Sequence, residues 1–233
     1  MKTTSIIDDF LHVLFPELCF TCGEKLLSGE EHVCLTCFND LPFTDYHAVE
    51  NNPVKRLFDG RLVLDRAGSL LLFDKGGKVQ NLIHEMKYQG HGYLGAWFGR
   101  LYAERLKRDG IAERFDLVTC VPLHPKKEKQ RGYNQSVFFA KGLSESLAIP
   151  FYPKMLVRNT YTSSQTRKGR MERWNNVEKV FELKQADLAK QKHVLLVDDV
   201  VTTGATLEAC GHELLNQGAA YVSLSTIAYS GNV

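Results

Sequence analysis

The chain is 233 residues long, enough for one good core plus a small accessory module. Its 44% apolar and 24% charged residues are the proportions of a soluble globular protein, and a formal net charge of +2 gives no ground by itself for nucleic-acid binding. No stretch reaches the roughly 18 consecutive apolar residues that a membrane span needs.

In Ser5 to Phe15, Ile6, Ile7, Phe10, Leu11 and Leu14 share one helical face with Asp8 and Asp9 opposite, and Pro16 ends the pattern. The two acids interrupt the apolar run and no small-residue cleavage site follows, which reads as a packing helix rather than a targeting segment. The expected location is cytoplasmic, where paired cysteines are metal ligands more often than disulfides.

Two Cys-x-x-Cys knuckles come next, Cys19/Cys22 and Cys34/Cys37, eleven residues apart, with Gly23 easing the turn after the first. Two such pairs supply four thiolates to one tetrahedral zinc. Sulfur then fills every ligand position, so the metal should be structural. Structural zinc contributes roughly 10–16 kcal/mol of apparent binding energy in finger peptides, far more than so short a segment gains from burial. The alternatives are disulfides, which need an oxidising compartment, and a redox dithiol, which usually uses one pair. His32 reads as a surface residue, and Cys120 and Cys210 as core.

Residues 39–60 read as a linker, with Pro42, Asn51-Asn52-Pro53 and Asp59-Gly60 as turn signals. Strand-like runs follow at Leu62–Leu64 and Ser69–Phe73. Val79, Leu82, Ile83 and Met86 mark a helix running into Lys87-Tyr88-Gln89-Gly90. Lys87 has two readings, a helix-terminal cation set against the dipole or a ligand contact. A second helix is expected from Tyr93 to Lys107.

Phe115 to Val121 reads as a strand ending in Pro122-Leu123-His124-Pro125. A basic loop of Lys126, Lys127, Lys129 and Arg131 follows, then Gly132-Tyr133-Asn134-Gln135 and a helix. Four cations against Glu128 at the carboxyl end of a strand suit a polyphosphate, and a solvated charge run is the competing reading. Residues 154–173 carry Lys154, Arg158, Arg167, Lys168, Arg170 and Arg173 against Glu172 alone. Such a polar, cationic stretch suits either a lid over a departing pyrophosphate or a nucleic-acid contact.

His193 to Thr206, HVLLVDDVVTTGAT, organises the rest. A buried-strand run, Val194 to Val197, leads to Asp198 and Asp199, then to a turn of Thr202, Thr203, Gly204, Ala205 and Thr206 that opens a helix. Ligands of α/β sheets bind at the carboxyl ends of strands, and the free N–H groups of a helix start favour a phosphate. Thr hydroxyls add donors, and Gly204 lets the backbone approach closely. The acids accept hydrogen bonds from sugar hydroxyls and assist a hard cation such as Mg²⁺. The competing reading is a buried strand, a turn and a capped helix.

Asp198-Asp199-Val200-Val201 with Thr202 to Thr206 resembles the signature for 5-phosphoribosyl 1-pyrophosphate (PRPP) in type I phosphoribosyltransferases. The resemblance implies that Asp198 and Asp199 bind the ribose hydroxyls and that Thr202 to Thr206 cradle the 5-phosphate. The four-cysteine finger, Lys87-Tyr88-x-Gly90, Val121-Pro122-Leu123-His124-Pro125, Arg131-Gly132-Tyr133-Asn134-Gln135, Thr162-x-x-Gln165 with Arg173 and Asn176, and the DDVVTTGAT stretch follow in one order. That order resembles the ComF family, phosphoribosyltransferase-like proteins with an N-terminal zinc finger, some of them associated with DNA uptake in bacterial competence. Met86 and Lys168 stand where the family more often has leucine.

The resemblance implies an α/β fold, a type I phosphoribosyltransferase-like parallel sheet flanked by helices, with a small N-terminal zinc-finger module. The expected division is 1–45 for the N-terminal helix and finger, 46–110 for a linker and hood, and 111–233 for the phosphoribosyltransferase-like domain. The first functional hypothesis is an enzyme that transfers phosphoribosyl from PRPP to a nitrogen acceptor. Asp198 and Asp199 then hold the ribose, Val200 and Thr202 to Thr206 surround the 5-phosphate, and Arg131 and Lys87 with Mg²⁺ face the pyrophosphate. The second is a non-catalytic competence adaptor that senses PRPP or binds single-stranded DNA, using the basic stretches and Tyr133 as a stacking ring, while the finger docks a partner of the competence machinery.

Overall fold

The computed structural model describes residues 16–159 and 180–231. The expected helix at 5–15 and the central part of the cationic stretch, including Thr162, Gln165, Arg167, Lys168, Arg170, Arg173 and Asn176, lie outside the described residues.

Four parallel strands form the central sheet in the order β1 (Ala67–Leu72), β6 (Tyr221–Tyr229), β5 (His193–Val201) and β2 (Leu117–Cys120). Helices cover both faces, as expected for an α/β fold with a parallel sheet. Parallel pairing explains why the strand sequences are nearly continuous apolar runs: Val194 and Leu196 of β5 enter one buried cluster, and Leu195 and Val197 the other. The first cluster lies under the helix Ala205–Asn216 and the chain from Val54 to Leu64. The second lies under the helices Lys78–Tyr88, Tyr93–Arg108 and Gln135–Leu147. A small antiparallel ribbon, β3 (Leu156–Arg158) with β4 (Phe181–Leu183), stands beside the sheet.

Glycines let two of these helices touch backbone to backbone. A Cβ at Gly142 would lie 2.1 Å from the carbonyl oxygen of Ala96, and one at Gly99 would lie 2.4 Å from that of Phe139. A glycine inside a helix costs roughly 1 kcal/mol relative to alanine, and here the close approach offsets it.

Three expectations about local backbone structure need correction. Leu62–Leu64 is irregular rather than a strand; Leu62 and Leu64 are buried against the helix Ala205–Asn216 while Val63 is exposed. The basic stretch after His124 is a helix, Pro125–Arg131, instead of a loop. The His124 ring accepts a hydrogen bond from the Lys126 N–H, Pro125 occupies the first turn, and Gly132 stops the helix at φ 83°. Residues 39–60 are tightly held for a linker. Buried Asn52 caps the short helix Pro53–Arg56 and donates to the carbonyls of Tyr46, Val49 and Ala67.

The four-cysteine segment packs on the core. Cys19, Val33 and Cys37 are buried in the same cluster as Trp97 and Phe98. Phe20 packs against Tyr93, and Phe38 against Trp97. His32 is no free surface residue: its ring lies between those of Tyr93 and Trp97, at 5.1 and 5.9 Å. Arg100 to Glu31 and Lys78 to Asp40 add surface ion pairs. Among the described residues no helix is long and apolar enough to cross a membrane.

Candidate functional site

A cleft of about 730 Å³ opens at the carboxyl ends of three neighbouring strands. Phe73 and Lys75 follow β1, Asp199, Val200 and Thr202 end β5, and Ser230 and Gly231 follow β6. The helix Lys78–Tyr88 supplies the remaining wall with Gln80, Ile83, His84, Lys87 and Tyr88. Strand ends meeting a helix flank is where open α/β sheets take ligands, because backbone groups and side chains there are not used by the sheet.

The acid pair lies inside β5, which runs on to Val201 instead of stopping at Val197 as the apolar run suggests. Among the described residues no strand pairs with that edge of β5 beyond Cys120, the last residue of β2, and side chains from other elements reach it there. The Ser136 hydroxyl donates to Asp198 Oδ1 at 2.8 Å, and the Asp199 N–H to the same oxygen at 2.9 Å. Lys87 Nζ lies 2.9 Å from Asp199 Oδ2, with both side chains less than a fifth exposed. Burial, and then the charge of Asp199, push the Asp198 carboxyl up to about 7 against the lowering pull of the Ser136 hydroxyl and the Asp199 N–H. The pair thus holds less than two full negative charges near neutrality.

The hydroxyl-rich turn forms a separate small hollow of about 60 Å³ lined by Asp198 and Val200 to Leu207. Gly204 has φ 76° and a Cβ there would lie 2.7 Å from the Phe58 ring, so both conformation and space require glycine. Gly204 at the N-cap has no side chain to cap this helix; the Ala205 N–H makes a long contact with the Thr203 hydroxyl at 3.5 Å, and a helix start of this kind favours an anion.

The structure brings Asp199, Val200, Thr202 and Lys87 together in the large cleft, with Thr203, Gly204, Ala205 and Thr206 in the adjoining hollow. Arg131 joins through Tyr88: its guanidinium sits 5.2 Å from the Tyr88 ring centre, donates to the Tyr88 hydroxyl at 3.4 Å and to Gln135 Oε1 at 2.9 Å. Lys126, Lys127 and Lys129 point to solvent from the helix Pro125–Arg131. Tyr133 is engaged elsewhere, donating to the Met86 carbonyl at 2.5 Å, and the exposed ring at the cleft is Tyr88. Sequence reasoning missed Ser136, His84 and Ser230. The His84–Tyr88 ring contact had a visible signal, since residues four apart share a helix face.

The four cysteines form a second centre. Cys19, Cys22, Cys34 and Cys37 place their sulfurs within 4.8 Å of one another. A tetrahedron with Zn–S near 2.3 Å has edges of about 3.8 Å, and Cys22 Sγ to Cys34 Sγ measures 3.8 Å. Burial opposes ionisation of Cys19, but the backbone N–H groups of Cys34, Cys22 and Thr21 outweigh it and bring the thiol down to about 6. Burial and the neighbouring cysteines push Cys37 up to about 12, so it is the sulfur geometry that carries the assignment. The quartet fits a metal.

Residues 134–232 match the phosphoribosyl transferase domain family. The DNA utilization protein YhgH of Escherichia coli (strain K12) is 26% identical over 224 residues, covering 90% of this chain and 95% of that protein. The competence protein ComFC of Bacillus subtilis (strain 168) is 27% identical over 225 residues, covering 94% and 88%. The competence protein F of Haemophilus influenzae is 28% identical over 222 residues, covering 94% and 93%. Over most of its length the chain is thus similar to proteins named for DNA utilization and for competence. The similarity to the two competence proteins extends over 94% of the chain, well beyond the residues that match the phosphoribosyl transferase domain family.

Proposed function

We propose that the chain binds PRPP with Mg²⁺ and transfers its phosphoribosyl group to a nitrogen acceptor, in the service of DNA uptake. The observation that carries this reading is the junction of two sites on one strand: the Lys87-paired acids of β5 and, within the next few residues, an uncapped helix start behind Gly204. A ribose carrying one phosphate at C5 and a pyrophosphate at C1 has the groups that such a junction serves.

In the proposed reaction Thr202 to Thr206 hold the 5-phosphate through N–H and hydroxyl donors. Asp198 and Asp199 accept hydrogen bonds from the ribose hydroxyls, and Lys87 and Arg131 place positive charge where the pyrophosphate departs. Bound Mg²⁺ neutralises pyrophosphate charge; two adjacent carboxylates offer it oxygen donors, and the raised Asp198 marks a site that a cation relieves. The bond from C1 to the pyrophosphate oxygen breaks, C1 becomes oxocarbenium-like, and the acceptor nitrogen closes the new bond and releases its proton to solvent. On this reading residues 1–45 are the finger module around a structural zinc, 46–110 the linker and hood, which lends β1 to the sheet, and 111–233 the phosphoribosyltransferase-like domain. A cytoplasmic location belongs to the same reading, because four free thiolates around zinc persist in a reducing compartment.

Calorimetry with PRPP, with and without Mg²⁺, tests the donor site beside an Asp198→Ala, Asp199→Ala double variant. Mg²⁺-dependent binding that the variant loses is the expected result. A folded, metal-loaded sample that takes up no heat from PRPP overturns the reading. The adaptor alternative draws on the solvent-facing Lys126, Lys127 and Lys129 and on the exposed Tyr88 ring. It predicts single-stranded DNA binding that weakens with salt and with joint neutralisation of those lysines.

A further inference from the structure

The segment between the helix Pro53–Arg56 and β1 presses on the phosphate turn from outside the hollow. Phe58, only 1% exposed, lies under Gly204. Arg61 Nη1 donates to the Leu57 carbonyl at 2.9 Å and to the Thr203 carbonyl at 3.2 Å, and its Nη2 pairs with Glu208 Oε2. Arg61 does not line the hollow.

Two consequences follow from elementary geometry and charge. A trans peptide points its C=O and the next N–H in opposite directions. A Thr203 carbonyl held outward on Arg61 therefore turns the Gly204 N–H the other way, and Gly204 can adopt the required φ of 76°. A flipped peptide would aim a carbonyl oxygen at the anion instead. Glu208, in the first turn of the same helix, would otherwise set an unpaired carboxylate close to where a phosphate is expected. The Arg61 guanidinium spans both groups with its planar fork, which a lysine ammonium cannot do with the same geometry.

We infer that Arg61 is the positioning residue of the phosphate turn: it fixes the Thr203–Gly204 peptide with its donor face inward and cancels the Glu208 charge. The inference rests on the PRPP reading of that turn. Ribose 5-phosphate, which carries the phosphate without the pyrophosphate, separates the two in a calorimetric titration of the full chain. Wild type is compared with Arg61→Gln, Arg61→Lys, Glu208→Gln and the Arg61→Gln, Glu208→Gln double variant.

Arg61→Gln should weaken binding by about tenfold or more, the size of one lost charged contact. Arg61→Lys should fall between it and wild type, because charge returns without the fork. The double variant should recover part of the loss, since the unpaired carboxylate is gone. A purely structural role would leave the double variant as weak as Arg61→Gln. That outcome, or equal binding by Arg61→Gln and wild type, overturns the inference while leaving the donor site in place. Wild type that binds neither ribose 5-phosphate nor PRPP overturns both. Should Arg61→Gln not fold, Glu208→Gln decides: with Arg61 intact it should bind at least as tightly as wild type, and weaker binding refutes the charge argument.

Discussion

Asp198→Asn offers the sharpest test of the acid pair, because it separates a carboxyl kept for its chemistry from one kept for stability. Asn retains an oxygen to accept from the Ser136 hydroxyl and the Asp199 N–H, which donate to Oδ1 at 2.8 and 2.9 Å. It thus imitates the protonated acid. Burial and the Asp199 charge raise the native carboxyl from an ordinary 3.8 to about 7. Between those values the native state keeps a proton that the unfolded state has lost, so this group's contribution is fully present below the lower value and is lost as pH rises through the upper one. Each unit is worth about 1.4 kcal/mol, and roughly three units amount to ~4 kcal/mol of destabilisation at pH 8. The variant escapes that cost. In urea unfolding at a series of pH values, its stability minus that of wild type should widen by ~1.4 kcal/mol per unit from pH 5 to 7 and then level off. His47, His193 and Asp109 also carry shifted pKa values, but they are present in both proteins and cancel in the difference. A pH-independent offset could come from packing; a flat difference across the series would refute the raised carboxyl. The same proton predicts that PRPP binding below pH 7 releases protons, detectable as heats that change with buffer.

The other expectations are simpler to read. Removing metal with a chelator, or substituting Cys37→Ser, should unfold the finger and expose Trp97, now 6% accessible and packed on Phe38 and His32, with a red-shifted fluorescence; the apparent metal contribution is ~10–16 kcal/mol, and a fully folded, zinc-free purified protein would contradict it. Lys87→Gln leaves Asp199 without the cation 2.9 Å away and should weaken Mg²⁺-dependent PRPP binding by ~10- to 100-fold, while unchanged affinity in calorimetry would remove Lys87 from the site. Gly142→Ala forces a methyl to 2.1 Å from the Ala96 carbonyl and should lower stability by ~1–3 kcal/mol in thermal unfolding; a neutral result would mean that the two helices separate at little cost.

What was legible in the sequence was whatever the chain writes locally. The acid pair, the Thr-Gly turn and the following helix share one short stretch whose order reflects strand end, loop and helix start. The cysteine pairs are similarly local, and their sulfurs do gather within 4.8 Å. Two misreadings had local causes too. Leu62–Leu64 is too short a run to show a period, and its buried leucines answer to the helix packed above them. In the basic stretch after His124 the charge run masks the helix signals, Pro125 at its start and Gly132 at its end.

Which residues meet at the site was harder to read. Lys87 stood out as a candidate contact, but its pairing with Asp199, like the parts of Ser136 and Arg61, is set by crossovers of the chain rather than by spacing. Lys87 reaches Asp199 because β1, at one edge of the sheet, sends the helix Lys78–Tyr88 back over the face that odd-numbered residues of β5 fill. Ser136 reaches Asp198 because β2 ends at Cys120 and leaves that side of the strand open to the start of the next helix. Arg61 reaches Thr203 because the irregular chain before β1 lies on the opposite face, under the helix that the turn begins. Three segments distant in sequence thus converge on one strand end. On the proposed reading a substitution in any of them should change PRPP affinity while leaving the signature residues untouched, so calorimetric affinity tests these contacts where the signature alone does not.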